Sequence, residues 1–231
     1  NGLLQYEGGL KKLDDGGFVF QGQGTLYNQT GQSVYQGLWE DGTRSGNGTA
    51  WLEDGSIYSG NWVDDYPNGK GTYLFPDGTE YEGGFSRGKK HGQGTFKEAD
   101  GFVSYDGEWK DGQRFGKGRV NKRDSSSYDG DWLDGKPHGN GMFTYPDGRV
   151  YTGTMKQGLR QGLGELRRSD GSIAYEGEWD KNLRHGKGKA YSASGLIKFD
   201  GDFYEGYQSG TGSEYRDDGT LYYQGSWKQN L

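Results

Sequence analysis

The sequence contains no cysteine, only four prolines and no long apolar run. Without cysteine the chain has no disulfide framework and no thiolate nucleophile, which fits a reducing compartment such as the cytoplasm. Its apolar runs fall far short of the ~20 residues that a membrane-spanning helix needs. The net charge of −6 supplies no dominant basic face, which argues against a nucleic-acid partner.

Aromatic residues supply an unusual share of the apolar surface. Hydrophobic residues make up 29% of the chain, yet aromatic residues alone reach 15%. Because disordered segments are depleted in aromatic residues, we expect the chain to fold. The 47 glycines do not recur at every third position, which excludes a collagen helix. Rings with polar tips suit a thin structure without a deep core.

A motif of aromatic residue, any residue, glycine, any residue and a second aromatic residue recurs every 23 or 24 residues after a longer first repeat. We count positions in each repeat from its first aromatic residue, position 0. Position 2 is always glycine, position 4 is usually Trp or Phe, and positions 11 and 13 are glycine in most repeats. Residues 1–231 therefore form one repeat array. Its starts are Tyr6, Tyr35, Tyr58, Tyr81, Tyr105, Tyr128, Tyr151, Tyr175, Phe199 and Tyr223.

The spacing predicts one β-hairpin for each repeat. Positions 0, 2 and 4 share a strand face, so two rings stand on that face with glycine between them. A second strand is expected to start near position 11, and Asp-Gly pairs such as Asp77-Gly78 mark the turns between repeats. The predicted fold is all-β: an elongated, single-layer antiparallel meander of about 19 strands, twisted and curved.

Residues 128–141, YDGDWLDGKPHGNG, resemble the MORN (membrane occupation and recognition nexus) repeat. Residues 175–188, YEGEWDKNLRHGKG, depart from that pattern at Asn182. The resemblance covers nearly the whole chain and implies a solenoid of hairpins with a groove that binds a partner helix or peptide. It also implies two alternatives: an adaptor associated with phospholipid membranes and their cytoskeleton, or the targeting module of an enzyme whose catalytic domain lies outside this chain. Since the pattern begins and ends in mid-repeat, we expect a longer protein.

The ring face is the candidate binding surface. A single-layer sheet cannot cover this face completely, and Tyr and Trp are typical interface residues, so the rings are expected both to form the core and to contact a partner. The candidate residues are Tyr58, Trp62, Tyr81, Phe85, Tyr105, Trp109, Tyr128, Trp132, Tyr151 and Met155. A basic rim is expected to steer an acidic protein segment or to meet anionic lipids. The rim residues are Lys89, Lys90, Arg114, Lys136 and Arg160.

The sequence offers no catalytic constellation. His91, His138 and His185 all fall at position 10, 47 residues apart, and are predicted to be turn residues rather than metal ligands. Carboxylate pairs such as Asp129 and Asp131 belong to a repeated, exposed strand, so nothing indicates a raised pKa there. We therefore expect no enzymatic activity, no cofactor and no metal.

The ends of the predicted sheet carry unpaired strand edges. Such edges tend to pair with another chain, and the last repeat is half a hairpin that ends at Leu231. The sequence therefore predicts a homodimer or an end-to-end oligomer. Its favoured interpretation is a non-catalytic scaffold in the cytoplasm that binds another protein.

Overall fold

The computed structural model describes residues 5–229. Leu231, at the end of the predicted half-hairpin, lies outside the described residues. Residues 5–229 form nineteen β-strands and no helix, which confirms the all-β antiparallel meander. No helix in this part of the chain is long and apolar enough to cross a membrane. The chain divides into two compact units, Asn1–Gln113 and Arg114–Leu231.

The N-terminal unit is a single layer of strands in chain order, each antiparallel to the next. Its strands are β1 (Gln5–Lys12), β2 (Phe18–Tyr27), β3 (Ser33–Glu40), β4 (Thr43–Trp51), β5 (Ile57–Val63), β6 (Tyr66–Leu74), β7 (Glu80–Ser86), β8 (Lys89–Lys97) and β9 (Val103–Lys110). The extra residues of the first repeat lengthen the turn between β1 and β2, where Leu13 N–H donates to the Gly17 carbonyl at 2.8 Å.

The C-terminal unit has the same construction, and its first strand begins at Gln113, where the N-terminal unit ends. Each strand again pairs antiparallel with the next. The strands are β10 (Gln113–Asn121), β11 (Ser127–Leu133), β12 (Lys136–Thr144), β13 (Val150–Lys156), β14 (Leu159–Arg167), β15 (Ile173–Asp180), β16 (Leu183–Tyr191), β17 (Ile197–Tyr204), β18 (Tyr207–Tyr215) and β19 (Leu221–Trp227).

A two-residue turn at positions 6 and 7 joins the two strands of a typical repeat. In the Tyr58 repeat these residues are Asp64 and Asp65, with φ of 48° and 68°. Two successive positive φ values are typical of a type I′ turn, whose twist matches that of the flanking strands. Because the turn is this short, the second strand begins at position 8, at Tyr66. The prediction that it starts near position 11 is therefore wrong.

The Asp-Gly pairs lie in the turns between repeats, as predicted. Gly78 has a φ of 84°, and its N–H donates to the Phe75 carbonyl at 3.0 Å. The Asp77 carboxylate accepts the backbone N–H of Thr79 at 2.9 Å, which fixes the turn locally. That bond and a second one, donated by the Thr79 hydroxyl to the same carboxylate at 2.7 Å, hold the pKa of Asp77 below its usual value.

Paired glycines let the tyrosine at position 0 lie flat across its own hairpin. Gly130 pairs with Gly141, and the Tyr128 ring crosses both residues. A Cβ at Gly141 would lie 2.4 Å from the Tyr128 hydroxyl oxygen. This geometry confirms that positions 0 and 2 share the ring face. The glycine at position 11 has a second role: Gly139 has a φ of 63°, next to a bulge in the pairing of β11 with β12.

Candidate functional site

The floor of the ring face is a ladder of rings packed edge to face. Within the N-terminal unit, the Tyr81 ring lies 5.1 Å from Phe85 of its own repeat and 5.3 Å from Trp109 of the next repeat. Within the C-terminal unit, Tyr175 meets Trp179 at 5.0 Å and Phe203 at 5.2 Å. Position-0 rings such as these two thus join two consecutive repeats, in the geometry that aromatic quadrupoles favour.

The polar tips of the floor rings are bonded inside the fold. The Tyr81 hydroxyl donates to the Gly84 carbonyl at 2.9 Å, and Trp109 Nε1 donates to the Gly94 carbonyl at 2.9 Å. Burial raises the pKa of Tyr81 to about 12. These tips are therefore structural hydrogen-bond donors.

All ten candidate partner-binding residues belong to this floor, and their exposure ranges only from 0% to 7%. They are Tyr58, Trp62, Tyr81, Phe85, Tyr105, Trp109, Tyr128, Trp132, Tyr151 and Met155. Their burial confirms the interpretation of these side chains as a core. Contact between them and a partner stays a prediction, because a partner would reach them only if the side chains above moved.

Cationic side chains at position 9 cover the floor, and we call them caps. The caps are Arg44, Lys90, Arg114, Arg160 and Arg184. The Arg160 Cζ lies 4.1 Å from the ring centre of Trp179, which belongs to the next repeat. Arg160 Nη2 also donates to the Asn182 carbonyl at 2.6 Å, and burial lowers the pKa of the guanidinium. A cap therefore ties each of these repeats to its successor by a cation–π contact.

The predicted basic rim separates into two sets. Lys90, Arg114 and Arg160 are caps and lie half-buried over rings, with Arg114 Cζ 5.3 Å from the ring centre of Trp132. Lys89 and Lys136 occupy position 8, beside the hairpin turn, and are exposed. Steering of a partner by these charges stays a prediction.

A second set of rings lies beside the caps and is only half-buried; we call them the groove rings. They are Tyr73, Phe75 and Phe96 in the N-terminal unit, and Phe143 and Tyr145 in the C-terminal unit. Tyr73 lies 4.6 Å from Phe75, which in turn lies 5.9 Å from Phe96. Phe143 lies 4.7 Å from Tyr145.

Sequence reasoning missed position 17 as a source of rings on this face. Position 17 holds Phe75 and Tyr145, each directly after a strand. Both precede the same turn sequence, Pro-Asp-Gly, at residues 76–78 and 146–148. An aromatic residue directly before a repeated turn signature was the pattern that could have identified them.

The opposite face of the sheet carries the acidic residues of positions 1 and 3 together with basic partners. Lys117 Nζ lies 2.5 Å from Asp131, and this contact lowers the pKa of the Asp131 carboxyl group. Lys187 Nζ lies 2.6 Å from Asp202 in the same arrangement. In the N-terminal unit this face has a shallow, open groove of about 580 Å³ with a glycine floor. These two contacts pair part of the acidic face with basic side chains.

The histidines lie within strands. His91, His138 and His185 lie in β8, β12 and β16. The prediction that they are turn residues is wrong, because the two-residue turn ends at position 7. Across residues 5–229, no group of three or more His, Cys, Asp or Glu side chains is placed to hold a metal ion.

Comparisons with known proteins bear on the repeat itself. The family model described as the MORN repeat matches residues 35–57, 58–80, 81–102, 105–120, 128–148, 151–173, 175–197 and 199–221. A search of curated proteins finds no match. Among solved structures, the E1021V mutant of the TCP10 domain of Danio rerio CPAP is 12% identical, with a TM-score of 0.32. That alignment covers 95% of this chain and 100% of the other.

Proposed function

The chain belongs to the MORN repeat family, and we propose that it is a non-catalytic scaffold that binds a segment of another protein along its groove rings. One observation carries this proposal. The floor rings are closed to solvent, whereas Tyr73, Phe75 and Phe96 are only half-buried beside a cap. Aromatic side chains of this kind, next to a desolvated surface, are typical anchors of protein interfaces.

The chemistry of the groove favours one kind of partner. Lys90 lies among groove rings in the N-terminal unit, and the Arg149 guanidinium lies 5.2 Å from the Tyr145 ring centre in the C-terminal unit. Apolar rings beside cations suit a segment that combines apolar anchors with carboxylates, either an amphipathic helix or an extended peptide. The caps would contribute mainly to the rate of association, and the rings to the lifetime of the complex.

A membrane adaptor is the second candidate, because Lys89 and Lys136 are exposed beside hairpin turns. Basic residues near an anionic lipid surface each contribute about 1 kcal/mol. Three further expectations stay predictions. They are cytoplasmic localisation at a membrane-associated cytoskeleton, self-association, and a role as the targeting module of an enzyme.

Affinity capture with mass spectrometry tests the proposal and identifies the partner. We expect the double variant Phe75→Ser/Phe96→Ser to lose the captured protein, while Gln93→Ser, on the opposite face, retains it. Both variants must first show the circular dichroism and melting behaviour of a folded chain.

A control for lipid binding is Lys89→Gln with Lys136→Gln, assayed on anionic vesicles. If the double phenylalanine variant keeps the captured protein, the groove proposal is wrong. If the lysine variant abolishes vesicle binding while capture yields no specific protein, the membrane role is favoured instead.

A further inference from the structure

The ammonium group of Lys90 lies among four aromatic rings. Its Nζ is 4.7 Å from the ring centre of Phe96, 4.8 Å from Trp109, and 5.2 Å from both Tyr81 and Phe75. All four distances fall within the range at which a ring attracts a cation. Four rings around one cation form an aromatic cage, which is the arrangement that recognises alkylated ammonium groups.

The cage has a closed floor and an open side. Tyr81 and Trp109 form the floor and are 0% and 7% exposed. Phe75 and Phe96 are groove rings and only half-buried, so these walls separate the cation from solvent incompletely. A ligand that approaches along the groove would therefore meet the cage without passing through the core.

The two walls come from the residue before the inter-repeat turn, Phe75, and from position 15 of the Tyr81 repeat, Phe96. Both places are aromatic around Lys90, but not around three other caps. The corresponding pairs are Asn28 and Ala50 for Arg44, Tyr145 and Leu166 for Arg160, and Arg168 and Ala190 for Arg184. The four-ring enclosure thus depends on Phe75 and Phe96. The position-9 pattern alone does not produce it.

Two of the arginine caps are attached to the turn of the next repeat. Nη2 of Arg44 donates to the Asp65 carbonyl at 2.9 Å, and that of Arg184 to the Gly206 carbonyl at 2.9 Å. A planar guanidinium suits this fixed attachment to the next turn. Lysine instead carries a compact, strongly hydrated charge on a flexible four-carbon stem, so it can leave a cage by rotation about its own bonds.

We propose that this cage is a binding site for a quaternary ammonium group on the partner, a trimethyllysine side chain, with Lys90 as the resident cation that it displaces. The inference rests on the function proposed above. The exchange conserves charge: one cation enters the cage as another moves into water. It is favourable because a trimethylammonium group is more weakly hydrated than a primary ammonium and fills a ring-lined space better.

The surroundings favour a protein source for this cation over a lipid headgroup. The groove continues from the cage past Tyr73, which lies 4.6 Å from Phe75. A peptide that placed trimethyllysine in the cage could lay its neighbouring residues on these rings. A phosphocholine headgroup has no neighbouring residues that could contact these rings.

Calorimetry with N-acetyl-trimethyllysine amide tests the cage without any partner protein. We expect the wild-type chain to bind this probe about tenfold more tightly than the unmethylated lysine analogue. Lys90→Ala should improve the affinity by a further factor of about ten, because the resident cation is gone. Lys89→Ala, which removes the neighbouring exposed lysine, should change nothing.

The wall variants keep the test decisive if Lys90→Ala does not fold. Phe75→Leu and Phe96→Leu preserve apolar bulk but remove the ring faces, and each should weaken probe binding about tenfold. A wild-type chain that does not distinguish the two probes, or wall variants that bind like wild type, would overturn the inference.

Two further outcomes separate the hypotheses. The chain could bind phosphatidylcholine vesicles through Phe75 and Phe96 but not bind the amide probe. That result would overturn the assignment of the cation to a protein. The chain could instead capture a partner through Phe75 and Phe96 but fail to bind the trimethyllysine probe. That result would overturn the cage proposal and leave the proposed scaffold function intact.

Discussion

The hydroxyl of Tyr128 donates a 2.9 Å hydrogen bond to the carbonyl of Asp131, three residues further along the chain. The ring between them crosses the glycine pair of the hairpin, Gly130 and Gly141. The same bond, from position 0 to position 3, recurs in both units at Tyr35, Tyr58, Tyr81, Tyr105, Tyr151 and Tyr175. One side chain thus fills the hairpin and anchors the end of its first strand.

Phe199→Tyr should stabilise the protein. Phe199 occupies position 0 over its own glycine pair but lacks the hydroxyl. Its hairpin has the same register shift as the Tyr35 hairpin, so the Asp202 carbonyl corresponds to the Leu38 carbonyl that accepts the Tyr35 bond. We expect a gain of about 1 kcal/mol in the free energy of unfolding by urea titration. Tyr175→Phe is the converse control and should lose about as much. An unchanged urea midpoint in Phe199→Tyr would contradict this account of the bond.

Gly130→Val should destabilise the C-terminal unit. A Cβ at this position would lie 2.5 Å from the Gly141 Cα and 2.7 Å from the Tyr128 hydroxyl oxygen. Both contacts require the ring or the partner strand to move, at a cost of about 2 kcal/mol or more. Thermal melting measures the effect. The control is Asp129→Val, at the adjacent exposed position, and equal melting temperatures for the two variants would mean that the face assignment is wrong.

Arg160→Lys should weaken the link between two consecutive repeats. A lysine retains the positive charge but cannot keep both the contact with the Trp179 ring and the 2.6 Å bond to the Asn182 carbonyl. We expect a loss of about 1 kcal/mol in a denaturant titration. Arg119→Lys, an exposed arginine of the same unit, serves as the control. A loss of equal size in both variants would show that the cap has no special role.

Alkaline pH should unfold the protein. Burial raises the pKa of Tyr81 and Tyr151 to about 12, above the ordinary tyrosine value of 10.0. The folded state therefore holds these protons more tightly than the unfolded chain. This stability is fully present below about pH 10 and is lost as the pH rises toward about 12. Tyrosine ionisation followed by absorbance should coincide with loss of the β-sheet circular dichroism signal. Ionisation of the buried tyrosines in a chain that stays folded would contradict the prediction.

The sequence was sufficient to predict the hairpins and the ring face, because the spacing of Tyr128, Gly130 and Trp132 admits only one strand face. It was not sufficient to place the caps. Lys90 pairs with Phe85 in its own hairpin but lies 4.8 Å from the ring centre of Trp109 in the next repeat. The contact between Lys90 and Trp109 depends on the two-residue turn inside each hairpin. The Asp-Gly pattern marks the turns between repeats and did not predict the length of this one. The caps close over rings that the sequence had led us to expect as a core with partly exposed members.

Site-specific photo-crosslinking tests the central claim, that another protein binds along the groove rings, most directly. Benzoylphenylalanine at position 75 adds a photoreactive benzoyl group to a ring that already lies in the groove, and Gln93 on the opposite face provides the control site. The scaffold account predicts one specific crosslinked protein from position 75 and none from position 93. Crosslinks to that protein from position 93 with none from position 75 would contradict the account.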